Sequence, residues 1–211
     1  MNKLLTVSLL LLAAQPLWAA PVAPVAPVAA AASVTLTPGE LVAAVQALLS
    51  AYEPLDIDRT LPALGSPAAV AEVLLGLARE PGTVPNAGIV RVRAIEALGY
   101  VPTDAGRIYL HGLVAELGEA TDSRVYQLAA AVRALGHFGD GELGRLGPYL
   151  GHPSADVREA AAMAVAAMPA ARPLLQRRLA VESERGVQVV LQSSLKQPAA
   201  PRPAREARPN R

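Results

Sequence analysis

Residues 90–99 have the sequence VRVRAIEALG, and residues 157–165 repeat its pattern as VREAAAMAV. Between them, residues 128–136 form the second copy in chain order, LAAAVRALG, and a degenerate fourth copy, VQVVLQSSL, occupies residues 187–195. Aligning the copies places one large aliphatic residue, which we call the anchor, at the same position in each: Leu98, Leu135, Val165 and Leu195. The anchors are 37, 30 and 30 residues apart. A period between about 20 and 50 residues is typical of repeat proteins.

A second amphipathic helix is predicted in front of each copy, over residues 68–79, 104–118, 142–150 and 171–181. Each pair of short helices can cover its apolar stripe only by packing on the next pair, which is the arrangement of a solenoid. One more helix, over residues 37–52, precedes the array and begins with a capping-box sequence, TPGE. The fold class that we predict is all-α: an α-α superhelix of about four helix pairs with an extra N-terminal helix.

The third copy resembles a known family. It begins with Val157 and Arg158, continues with small residues, and has Pro153 and Asp156 just upstream, a pattern that is similar to the second helix of HEAT repeats. The short period resembles the HEAT subgroup that is also seen in phycobilisome bilin lyases. The resemblance covers about residues 66–196. It implies an array whose second helices line a concave face that holds another protein, but it implies no chemistry.

The same resemblance implies a structural role for two arginines. Arg91 and Arg158 look like the arginine that HEAT-like repeats use in a hydrogen-bonded ladder between neighbouring units, and Asp156 matches its acidic companion. Direct contact with a partner is the alternative for these side chains.

A partner-binding surface is expected on the side of the second helices that faces away from the anchors. A merely solvated face is the alternative interpretation. The side chains that we assign to this surface are Arg93, Glu96, Arg133, Glu159, Met163, Gln188 and Gln192.

Composition narrows the function classes. Hydrophobic residues make up 52% of the chain but aromatic residues only 3%, which suits closely packed helices rich in Ala and Leu. The chain has no cysteine, which excludes thiolate metal sites, thiol catalysis and a lipid anchor on cysteine. Residues 34–195 contain 17 acidic and 13 arginine side chains, a net charge of about −4. An acidic body argues against nucleic acid as a partner.

Both ends of the chain differ from its body. Residues 1–19 are predicted to be a secretory signal peptide, because Lys3 precedes an apolar run that is too short to span a bilayer. Residues 20–33, rich in Ala and Pro, are predicted to be a spacer, and residues 34–196 the helical repeat domain. The Pro- and Arg-rich residues 197–211 are predicted to be a disordered tail. We therefore expect an exported protein, either periplasmic or secreted, with no stable membrane span after the signal peptide is removed.

No constellation of reactive side chains is evident in the sequence. The histidines His111, His137 and His152 are predicted to lie at different places along the array, so no metal site is expected. No serine has the neighbours that nucleophilic catalysis needs, and no glycine-rich loop has the context of a phosphate site. We expect no catalytic residue and no cofactor.

The functional hypothesis is therefore an exported, non-enzymatic scaffold or adaptor that binds a protein or peptide on the face of a short HEAT-like solenoid. One alternative is a bilin or chromophore lyase-like protein, which the repeat subgroup alone suggests. A second alternative is a protein that associates with an anionic envelope surface through the basic residues 197–211.

Overall fold

The described part of the chain is entirely helical. A computed structural model describes residues 36–51, 56–83 and 86–196, and these ranges contain no strand. The all-α prediction is therefore confirmed for them. The predicted signal peptide, spacer and tail lie outside the described residues.

Ten α-helices follow one another within these ranges. They are α1 Pro38–Ser50, α2 Ile57–Ala63, α3 Pro67–Arg79, α4 Ala87–Ala97, α5 Asp104–Leu117, α6 Val125–Gly136, α7 Leu143–Leu146, α8 Ala155–Val165, α9 Arg172–Val181 and α10 Arg185–Lys196.

Local sequence explains where several of these helices begin. Thr37 caps α1 with a complete capping box: its side chain accepts the N–H of Glu40, whose carboxylate in turn accepts the N–H of Thr37. Ser66 and Thr103 cap α3 and α5 in the same way, by accepting the N–H of the residue three positions later. Each cap satisfies a backbone donor that has no partner inside the helix.

The helices pack as pairs. Helix α3 packs on α4, α5 on α6, and α9 on α10. We call α4, α6, α8 and α10 the second helices, because each follows its partner in the chain. The third pair differs from the prediction of one helix over residues 142–150. Its first member is broken into a 3-10 turn Asp140–Glu142, the short α7, and a second 3-10 segment Gly147–Gly151, which packs on α8. Four glycines and one proline between residues 141 and 151 explain the break, since both residue types weaken a helix.

The second helices contact one another in chain order, α4 on α6, α6 on α8 and α8 on α10. At the N-terminal end, α1 packs against both α3 and α4. The anchors Leu98, Leu135 and Val165 are fully buried, whereas Leu195 in the last copy is only partly buried. The repeated aliphatic position therefore contributes to the hydrophobic core in all four copies.

Consecutive second helices approach most closely at the glycine that follows the anchor. A Cβ atom on Gly99 would lie 2.9 Å from the Cα of Ala134, and one on Gly136 would lie 2.6 Å from the Cα of Ala164. Contacts that short do not occur with real side chains, so backbone would have to move. At these two junctions the glycine after one anchor therefore meets the small residue before the next anchor, whereas the third copy has Ala166 in place of the glycine.

Replacing Gly136 by Ala is expected to lower the free energy of unfolding by about 1 to 3 kcal/mol, because the added methyl group meets backbone atoms of α8. Urea unfolding followed by circular dichroism measures this change. The matched control is Gly112→Ala in α5, where no heavy atom lies within 4 Å of the added Cβ. That variant should keep its stability or gain up to about 1 kcal/mol from helix propensity. Equal stability of the two variants would contradict the close approach.

Candidate functional site

Exposed apolar side chains are concentrated on the second helices. Of the seven large hydrophobic residues that are exposed in the described ranges, four lie there: Ile89 at 51%, Tyr126 at 57%, Met163 at 44% and Val189 at 55% exposure. Ile89 and Tyr126 both stand nine positions before their anchors, Val189 stands six before, and Met163 stands two before. Positions separated by three or four residues share one face of a helix.

Three of the charged residues predicted for the partner surface lie on the same face. Glu159 stands six positions before its anchor, and Glu96 and Arg133 each stand two before. We define the second-helix face as the set of seven side chains at these positions: Ile89, Glu96, Tyr126, Arg133, Glu159, Met163 and Val189. Glu96 and Arg133 belong to neighbouring helices and form a salt bridge of 2.9 Å. Their charges therefore neutralise one another across the junction between α4 and α6.

Arg93, Gln188 and Gln192 are placed elsewhere. Arg93 donates to the carbonyl oxygens of Leu49 and Ala51 at 2.8 and 2.6 Å, so it binds the C-terminal end of α1. Gln188 donates to the carbonyl of Glu182 at 2.6 Å. Gln192 is exposed, although the equivalent residues of the three earlier copies (Ile95, Val132 and Ala162) are buried. It occupies the position at which a further helix pair would pack.

In three of the four copies, the side chain seven positions before the anchor donates a hydrogen bond to a backbone carbonyl group. Arg91 donates to the carbonyl of Arg79 at the end of α3, and Arg158 donates to the carbonyls of His152 and Pro153. Gln188 stands at the same position of the last copy. In each of these pairs the side chain satisfies carbonyl groups between the first and the second helix. The second copy has Leu128 there, which is buried.

The acidic companion of Arg158 is Glu182, not Asp156. Asp156 is exposed and forms no ion pair within the described residues. Arg158 instead donates to both carboxylate oxygens of Glu182, from Nε at 2.8 Å and from Nη2 at 2.9 Å. Both side chains are buried, and the pair joins α8 to the loop between α9 and α10.

Several donors converge on the Glu182 carboxylate. Arg178 adds a bond of 2.8 Å, and the backbone N–H groups of Ser183 and Glu184 add bonds of 3.0 and 2.9 Å. The hydrogen bond from Arg158 is the main cause that lowers the pKa of Glu182 from 4.5 to about 2, against the opposing effect of burial. The carboxylate is therefore charged at neutral pH and fully occupied by structural partners.

Side chains thirteen positions before the anchor also repeat one geometry. Asp122, His152 and Glu182 each accept the backbone N–H of the residue two positions later, at 2.9, 3.1 and 2.9 Å. Three different side chains thus make the same turn before the second helix. Sequence reasoning missed this position because histidine replaces the acidic residue in the third copy, although the equal spacing from the anchors could have indicated it.

A second buried carboxylate links the second and third pairs. Glu142 is fully buried and accepts from Arg107 Nε at 2.8 Å, and its other oxygen lies 2.9 Å from Nε2 of His111. The remaining histidines have other surroundings: His137 packs against Tyr100 at 4.7 Å between ring centroids, and His152 belongs to the turn before α8. No group of three or more His, Asp or Glu side chains in the described part of the chain is arranged to hold a metal ion.

Comparison with known proteins adds no relative: no protein family, no curated protein and no solved structure matches this chain. Among the described helices, none is by itself long and apolar enough to cross a membrane. Helices α2 and α3 meet the length and composition requirement only when they are taken together, and they are bent by 116° at their junction.

Replacing Glu182 by Gln is expected to lower the free energy of unfolding by about 3 kcal/mol, because Arg158 stays buried without its counter-ion. Chemical denaturation at pH 7 measures the loss. The neighbouring exposed variant Glu184→Gln serves as the control and should change stability by less than about 0.5 kcal/mol. A loss of similar size in both variants would contradict a specific role for the Arg158–Glu182 pair.

His152 should make the fold sensitive to mild acid. Burial lowers its pKa below 6.5, and the nearby Arg158 acts in the same direction. The unfolded chain therefore takes up the proton more readily than the folded one. The stability that depends on neutral His152 should be complete above pH 6.5 and should decline as the pH falls below that value.

The variant His152→Gln tests this expectation, because glutamine can accept the Ser154 N–H but does not titrate. Unfolding free energies at pH 8 and pH 5.5 should differ less in the variant than in the unmodified chain. Identical pH dependence of the two proteins would refute the assignment.

Proposed function

We propose that this chain is an exported, non-enzymatic adaptor with HEAT-like repeats, and that it binds a protein or peptide on the second-helix face. The observation that carries the proposal is the register of Ile89, Tyr126, Met163 and Val189, which come from four successive second helices and are all exposed. Apolar side chains that are grouped on a surface mark interaction sites more often than scattered ones do.

The HEAT-like assignment is supported by contacts that recur at equal distances from the anchors. The donors at Arg91, Arg158 and Gln188, and the acceptors at Asp122, His152 and Glu182, repeat with the sequence period. The second helices also pack in chain order. Both features are expected of an array in which each unit contacts its neighbours.

The chemistry of the second-helix face favours a protein partner. Tyrosine and methionine contribute strongly to protein interfaces, since they offer a large contact area and adapt to the partner's shape. The salt bridge between Glu96 and Arg133 belongs to the same face. Because these two charges already compensate each other, covering them costs less than covering two isolated charges.

The partners of the buried carboxylates favour a function as an adaptor over a function as an enzyme. Arg107 and His111 bind the carboxylate of Glu142, and arginines and backbone N–H groups bind that of Glu182, so both carboxylates are occupied by partners within the fold. No feature of the described residues favours the chromophore lyase-like alternative. The surface-associating alternative depends on residues 197–211, which lie outside the described ranges.

A pull-down tests the proposal: residues 20–211 are used to capture partners from the native envelope fraction, and the affinity of each captured protein is then measured by calorimetry. The double variant Tyr126→Ser/Met163→Ser should weaken the binding of a genuine partner by about 2 kcal/mol or more, which is roughly a thirty-fold loss of affinity. The control is Ile108→Ser, which removes an even more exposed apolar side chain from α5. If both variants keep full affinity, the partner does not use this face.

A further inference from the structure

A groove of about 700 Å³ lies between α1 and α3, at the opposite end of the helix array from α10. Its walls are mainly apolar: Leu41 and Val42 come from α1, and Val73 and Leu77 come from α3. Two carboxylates, Glu72 and Glu80, also line it. The groove lies apart from the second-helix face and shares no residue with it.

The two ends of the helix array differ in the polarity of their outer surfaces. At the C-terminal end, polar Gln192 replaces the buried aliphatic residue of the earlier copies, and Lys196 replaces the glycine of the first two copies and the alanine of the third. Such a polar outer face is what a terminal repeat needs to stay soluble. The N-terminal end instead keeps an open apolar groove, where Val42 is 41% exposed. This difference indicates that the N-terminal end binds something that the C-terminal end does not.

Charge restricts the occupant. The side chains of Glu72 and Glu80 are exposed, and neither carboxylate forms an ion pair or hydrogen bond within the described ranges. Residues 36–80 contain six acidic and two arginine side chains, so the segment of sequence that supplies the groove has a negative net charge. Fatty acids, phospholipids and other anionic amphiphiles are disfavoured there, whereas an apolar segment that carries basic side chains is favoured.

Geometry suggests the form of that segment. Glu72 and Glu80 are eight residues apart on α3 and its C-terminal cap, which corresponds to about 12 Å along a helix axis. Two basic residues that stand seven or eight positions apart on a helix of the partner have nearly the same separation. A helix placed between α1 and α3 would also present its apolar stripe to walls that are themselves helical, as in other helix-in-groove complexes.

We propose that the groove between α1 and α3 binds an amphipathic helix of a partner protein, with an apolar stripe in the groove and Lys or Arg side chains on Glu72 and Glu80. This site goes beyond the proposed function, because it is separate from the second-helix face and has a different specificity.

The probe is a fluorescein-labelled helical peptide of sixteen residues, with a leucine stripe and two lysines seven positions apart. Its binding to residues 20–211 is measured by fluorescence anisotropy. Saturable binding is expected. The double variant Glu72→Lys/Glu80→Lys should weaken it about ten-fold, since two attractive pairs become repulsive. The matched control, Glu116→Lys/Glu119→Lys, makes the same change of charge on exposed residues at the end of the α5 region and should leave the affinity unchanged.

Two further measurements separate specific binding from general stickiness. A peptide with both lysines replaced by glutamate should bind at least about ten-fold more weakly. Gly76→Phe should also abolish binding, because Gly76 lines the groove and a side chain there meets no atom of the protein within 4 Å at its Cβ. The variant therefore fills the groove without removing a contact, and circular dichroism checks that it folds.

The double variant Tyr126→Ser/Met163→Ser should bind the peptide normally. The experiment therefore distinguishes a wrong proposal about the second-helix face from a wrong proposal about the groove. Equal affinity for the lysine and glutamate peptides, or unchanged affinity after Glu72→Lys/Glu80→Lys, would overturn the proposal. Sedimentation velocity adds one more outcome: if that charge variant converts an oligomer into a monomer, the occupant is a second copy of the chain, and the proposal is again overturned.

Discussion

The structure depends on how closely consecutive second helices can approach one another. Gly99 lies against Ala134, and Gly136 lies against Ala164, with no room for a Cβ atom at either glycine. Close approach brings the aliphatic residues on each helix into contact with the next pair and excludes water from the junction. At these two junctions, the glycine after one anchor and the alanine before the next are therefore the part of the repeat that permits close packing.

Once the helices are packed, the junctions leave polar groups buried, and arginine and glutamate side chains satisfy them. Arg158 illustrates the principle, since it binds Glu182 on one side and two loop carbonyls on the other. An unpaired charge in this position would be costly, so these residues are committed to the fold. Their commitment also explains why many of the charged residues in the acidic helical part of the chain are unavailable to a partner.

The surfaces that remain available differ in chemistry. The second-helix face combines exposed apolar side chains with a salt bridge that neutralises itself, and it suits a broad protein surface. The groove between α1 and α3 is narrower, apolar inside and acidic at its rim, and it suits a basic amphipathic helix. The two surfaces share no residue, so the proposed adaptor would have room for two partners at once.

The sequence by itself determined the helical class, the period and the buried anchors, because aliphatic spacing, caps and glycines act over short distances along the chain. It also indicated that Glu96, Arg133 and Met163 lie on one face. It could not determine that Glu182 replaces Asp156 as the partner of Arg158, nor that Gln188 turns inward to a loop carbonyl. Only the tertiary structure decided these pairings, since a long side chain reaches several acceptors, and the packing of neighbouring pairs selects the one that is buried with it.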